Sequence, residues 1–142
     1  MIEIVSGART LRISPFERQN TPDAPAYDWI RTYVEYHLPE LKTQYQAAFN
    51  VGELEDLQAG LKSLYKSLTD KTKHPDVIFN STENQLNLRF SQIHEGDFIT
   101  VEMMLRPENP AESVIVTDHF GIDESYFPAL LSGLNEIINW PG

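Results

Sequence analysis

LNLRFSQIHEGDFITVEMML, residues 86–105, is two runs of alternating apolar and polar residues around a central Glu95-Gly96. Leu86, Leu88 and Phe90 alternate with Asn87 and Arg89, and Ile99, Val101, Met103 and Leu105 alternate with Thr100 and Glu102. A period of two marks a strand with one buried face. With Glu95-Gly96 as a two-residue turn, facing positions sum to 191, which sets Leu86 against Leu105, Leu88 against Met103 and Phe90 against Val101. A slip of one residue would set apolar against polar throughout, so the pattern fixes the register. On the other face the same register places Arg89 opposite Glu102, a predicted cross-strand ion pair. It also gathers Ile93, Phe98 and Met104 on that side, a candidate contact surface unless a helix or second sheet covers it.

The rest of the chain is built around this hairpin. In MIEIVSGARTLRISPFE, Ile2 and Ile4 and then Leu11 and Ile13 flank Ser6-Gly7, which predicts two short strands joined by a turn; RQNTPDAPA follows as a loop. YDWIRTYVEYHLPELKTQYQAAF gives a strand pair interrupted at Pro39, with Ile30, Val34, Tyr36 and Leu38 on one face and Trp29, Tyr33 and Glu35 on the other. For Trp29 and Tyr33 the choice is between core anchor and interface hot spot, and core is the default for buried strand aromatics. Leu54, Leu57, Leu61, Leu64 and Leu68 form one stripe at spacings of three and four and predict a helix packed on the core. After the hairpin, ENPAES reads as a turn, VIVTDHF as a further strand, and GIDESYFPALLSGLNEIINW as a closing helix capped by Asp123 or Ser125. The expected fold class is α+β: a single domain over 1–142 with an antiparallel sheet of about six strands and two main helices packed against it.

The sequence contains 0 Cys, which removes disulfides, thiolate nucleophiles and Cys-based zinc sites and suits a reducing compartment. No apolar run approaches the roughly 20 residues of a membrane span, and the chain is read as cytoplasmic with no membrane partner. The net charge of −10 is unevenly placed: residues 1–75 hold ten acids and nine bases, while 76–142 hold eleven acids against Arg89 and Arg106, a balance of −9. A field of that sign repels nucleic acid and favours encounter with a basic partner.

His94, Glu95, Asp97 and Glu102 are side chains able to bind a metal ion or move protons. In the paired register the first three sit at a hairpin tip, where polar residues belong anyway. The sequence has no H-x-E, H-E-x-x-H or D-x-D frame, no G-x-S-x-G and no phosphate-binding glycine motif. No catalytic, cofactor-binding or metal-ligating residue is therefore assigned, and no cofactor is expected. One alternative stays open, a small metal-dependent or acid/base enzyme using His94, Glu95, Asp97 or the Asp118-His119 pair.

DWIRTYVEY in the long strand, Phe49 ahead of LEDLQAGLKSLY, Glu83 ahead of LNLRF, then GDFITVEMML and DESYFPALLSGLNEII follow one another in an order that resembles the WapI-type immunity proteins of bacteria. The likeness runs from about residue 27 onward and is carried by hydrophobic patterns. It implies a non-enzymatic cytoplasmic protein that binds and neutralises a cognate toxin. Such toxins are often nucleases with basic clefts, so the resemblance implies a basic toxin domain as partner and gives the acidic half a role. The candidate partner-binding residues are Ile93, Glu95, Asp97, Phe98, Glu102 and Asp118; the oligomeric state is left open.

Overall fold

A computed structural model describes residues 1–93 and 98–142. The expectations placed on His94, Glu95 and Asp97 lie outside the described residues. Among the described residues eight strands form two separate four-stranded antiparallel sheets, where the sequence predicts one sheet of about six. The first holds β1 (Ile2–Ser6), β2 (Arg9–Gln19), β3 (Trp29–Leu38) and β4 (Leu41–Asn50) in sequence order. Helix α1 (Val51–Asp70) follows, and then β5 (Val77–Asn80), β6 (Leu86–Gln92), β7 (Phe98–Leu105) and β8 (Val116–Asp123) make the second sheet, again in order. Helix α2 (Phe127–Ile138) closes the chain.

Two differences turn one expected sheet into two. β5 has only Val77 and Phe79 facing inward and Ile78 between them is also apolar, so no alternation announces it. The 20 residues of α1 separate β4 from β5 and let each meander close on itself. Within each sheet the expected registers hold: Ile2 faces Ile13 and Ile4 faces Leu11, and Leu86, Leu88 and Phe90 face Leu105, Met103 and Val101. Pro39 and Glu40 form the two-residue turn between β3 and β4. β8 begins at Val116, two residues later than predicted, which leaves Val114 and Ile115 in the preceding loop.

Helix α1 starts from a capping box that the leucine stripe does not reveal. The Asn50 side chain accepts the Glu53 N–H at 2.8 Å, and the Glu53 carboxylate accepts the Asn50 N–H at 2.9 Å. The five stripe leucines are buried, as are Phe127, Leu130, Leu134 and Ile137 of α2. Leu54, Leu57 and Leu61 of α1, Leu130, Leu134 and Ile137 of α2 and inward residues of both sheets line a small apolar void of about 20 Å³, within one cluster of buried side chains among the described residues. Phe49 of the first sheet meets Phe79 of the second at 5.8 Å between ring centroids, and Tyr65 of α1 stacks on Phe127 of α2 at 5.4 Å. Both helices occupy the interior side of the sheets, and the outer face of each sheet is left to solvent.

Tyr33 departs from the expected core position. A bulge in β2 between Pro15 and Glu17 inserts Phe16 as an extra residue, which stacks on Tyr33 at 4.4 Å on the outer face of the first sheet. Arg31 lies over the Phe16 ring at 5.5 Å. Trp29 is half-buried at the end of the same face.

Candidate functional site

The second sheet presents its outer side chains in rows. Ile78, Arg89, Glu102 and His119 stand opposite one another across the four strands, and Asn80, Asn87, Met104 and Thr117 form the next row. Toward the other end Phe98 stands opposite Asp123, and the Ile93 N–H donates to the Phe98 carbonyl at 3.1 Å. The first two rows line an open concavity of about 790 Å³.

Apolar exposure is concentrated here. Of eleven large hydrophobic side chains exposed among the described residues, Ile78, Ile93, Phe98 and Met104 are on this sheet, and Val114 and Ile115 on the loop leading into its edge strand. The outer face of the first sheet carries two, Val5 and Tyr33. Phe98 is 59% exposed and Ile78 58%, values that leave room for a partner to bury most of each ring or chain. The outward cluster of Ile93, Phe98 and Met104 expected from the register is thus present, and neither helix covers it.

The charged groups on this face are arranged differently from the expectation. Arg89 and Glu102 are directly opposite, yet the Arg89 guanidinium turns to Asp76, at 2.7 Å from Nε and 2.6 Å from a terminal nitrogen. Among the described residues the Glu102 carboxylate has no hydrogen bond or ion pair and is exposed to solvent. Arg106 is held by Asn87 and by the Asn84 carbonyl, with a terminal nitrogen 3.2 Å from the Met104 sulfur.

Asp118 and His119 do not act as a pair, because successive residues on a strand point to opposite faces. His119 is on the outer face opposite Glu102, whereas Asp118 faces the first sheet. There its carboxylate accepts Arg9 Nε at 2.7 Å and the Tyr36 hydroxyl, and joins the two sheets. Burial pushes the Asp118 pKa up, but hydrogen bonds from Tyr36 and Arg9 outweigh it and hold the group below the usual carboxylate range. Of the candidate partner-binding residues, the structure brings Ile93, Phe98 and Glu102 to one face and places Asp118 in the joint between sheets. Among the described residues no three His, Asp or Glu side chains converge as a metal site would require. Among the described residues no helix is long and apolar enough to cross a membrane.

The model of the Immunity protein WapI-like family matches residues 1–142, the whole chain. This chain belongs to the WapI-like immunity protein family. No curated protein matches it in sequence. Among solved structures, this WapI-like chain is similar in fold to the plant transcriptional regulator PBF-2, with 10% identity, a TM-score of 0.53, and 97% of this chain and 79% of that chain covered. It is also similar to WHY3 from Arabidopsis thaliana, with 12% identity, a TM-score of 0.52, and 96% of this chain and 84% of that one covered. At such identities the likeness shows shared fold alone. The WapI-like chain therefore has an architecture that also occurs outside its own sequence family.

Ile78, Arg106, Thr117 and Asn87 were not among the residues predicted for the contact surface. Ile78 sits in the uninterrupted apolar run VIF, where no period distinguishes an inward from an outward side chain. Asn87 and Thr117 take their place on the face only through pairings between strands, and Arg106 reaches it through its hydrogen bond to Asn87.

Proposed function

We propose that this protein is an immunity protein that binds a cognate bacterial toxin domain in the cytoplasm and neutralises it through the outer face of the second sheet. The observation that carries this reading is the uncovered outer face of the second sheet, where Ile78 and Met104 line an open concavity with Glu102, a carboxylate without a partner among the described residues, and where Phe98 and Ile93 stand exposed toward the other end. Apolar side chains beside an exposed carboxylate suit a protein surface: the aliphatic groups supply affinity and the charge supplies orientation. The net charge of −10 favours a basic partner, and a nuclease domain, whose cleft must attract phosphates, is the toxin class that fits best.

The test is titration of the purified chain into the toxin domain encoded beside it, followed by calorimetry and by the toxin's nucleic-acid cleavage. One-to-one binding and loss of cleavage are expected. Met104→Asp combined with Glu102→Arg should weaken binding by at least ~30-fold, about 2 kcal/mol for a residue pair near an interface centre. A folded double variant that binds and protects like the parent would remove this face from the mechanism.

A further inference from the structure

We propose that the loop between β7 and β8 is a preorganised contact element, and that its Val114 and Ile115 enter an apolar recess, edged by a basic side chain, on the toxin domain. The inference rests on the toxin-binding reading above and names a second part of that surface.

Two adjacent β-branched side chains stand in the open, Val114 at 51% and Ile115 at 50% exposure. They lie outside every strand and helix, yet the loop that carries them is tied at both ends. At its start the buried Gln85 donates from its amide nitrogen to the carbonyls of Arg106 at 3.3 Å and Glu108 at 3.2 Å. At its end a single carboxylate oxygen of Glu108 accepts the Ser113 hydroxyl at 2.7 Å, the Val114 N–H at 2.7 Å and the Ser113 N–H at 3.2 Å. These hydrogen bonds, the Ser113 hydroxyl first, hold the Glu108 pKa below its ordinary value. A closed ring from Glu108 to Val114 thus fixes the backbone that presents the aliphatic pair.

A loop ordered before binding gives up less conformational freedom when it docks. Of the three hydrogen bonds at Glu108, one holds the Val114 backbone directly and two hold Ser113 beside it. Its neighbour Glu112 is exposed and has no hydrogen bond or ion pair among the described residues. A carboxylate beside two aliphatics is complementary to a recess with a lysine or arginine at its edge. The pair is also continuous with the sheet face, since β8 starts at Val116 and Thr117 lines the concavity. Glu108 is then a positioning residue and Val114 and Ile115 the contacting ones.

Surface plasmon resonance with the toxin domain encoded beside this chain tests the assignment, with thermal melts of each variant as the folding control. Val114→Asp with Ile115→Asp should lower affinity more than tenfold at an unchanged melting temperature. Glu108→Ala, which removes the acceptor from all three donors, should lower affinity several-fold, and Glu108→Gln, which keeps an acceptor oxygen, should restore most of it. Rescue by a neutral side chain separates positioning from a simple charge effect. If the sheet variant Met104→Asp with Glu102→Arg loses binding while the loop variants bind like the parent, the loop is not a contact element and the toxin-binding reading stands. A parent chain that fails to bind the toxin overturns both.

Discussion

Asp118 joins the two sheets through a charge that exists only while its proton is off. The carboxylate is 16% exposed and is shared by Arg9 and Tyr36, residues 109 and 82 positions away. Asp28 behaves similarly: the Thr21 N–H and then Arg18 hold its pKa down, and the same Arg18 also donates to the carbonyls of Ile138 at the end of α2 and of Trp140 beyond it. Both groups titrate lower in the folded chain than near ~3.9, the unfolded value. Their stabilisation is therefore complete above that unfolded value and is lost as pH falls through the folded pKa, where the unfolded chain binds more protons. Glu53 opposes them, since burial raises its pKa. Melting temperature should decline on acidification below about pH 4, and Asp118→Asn should reduce that slope while costing about 2 kcal/mol at neutral pH from the unpaired Arg9. Parallel pH profiles for parent and variant would show that Asp118 titrates alike in both states. Nothing local in TDHF distinguishes this joint from an exposed acid-base pair, because its partners lie in β2 and β3 and the side a strand residue faces is known only once its sheet is paired.

At the scale of elements, what could be read in advance was periodicity, and what could not was approach. The β6–β7 register follows from alternation together with the two-residue turn expected at Glu95-Gly96, because a one-residue slip would set apolar against polar throughout, and α1 follows from five leucines at helical spacing. The outward turn of Phe16 had no such signal: it depends on a bulge opposite Thr32 and Arg31 of another strand. Gly133 is a second case. A Cβ there would lie 2.2 Å from the Met1 carbonyl oxygen and 3.1 Å from the Ile2 Cα, so β1 and α2 touch at a point where only hydrogen fits. Helix propensity by itself would make Gly133→Ala stabilising by up to ~1 kcal/mol. Separating a strand from a helix across backbone atoms costs about 1–3 kcal/mol, and the packing term should win. A thermal melt decides the sign. A fall of several degrees is expected relative to the exposed control Ser132→Ala, and a rise would mean that the two elements separate without strain.

Across the whole molecule, the acidic excess of the C-terminal half is spread over separate tasks. Asp118 and Asp76 pair with Arg9 and Arg89, Glu108 and Asp123 cap local backbone, Glu124 reaches Thr69, and Glu136 lies 2.9 Å from the Met1 nitrogen. Among the described acids of that half, Glu83, Glu102 and Glu112 are left without partners, and two of these border the proposed contact surface. In the proposed complex long-range attraction would come from the net charge of −10, and orientation from the two carboxylates near the partner. These contributions separate by distance, because at physiological salt the screening length is only about 8 Å. Glu102→Arg with Glu112→Arg and Glu55→Arg with Asp56→Arg change net charge equally, but the second pair lies on α1, which packs on the interior side of the sheets. At low ionic strength both variants should associate with the toxin more slowly than the parent. Near ~0.15 M salt the α1 variant should regain the parent rate and the sheet-side variant should remain about tenfold slower. Stopped-flow association rates over a salt series read this directly, and equal recovery of both variants would mean that net charge alone guides the encounter and that the second sheet does not face the partner.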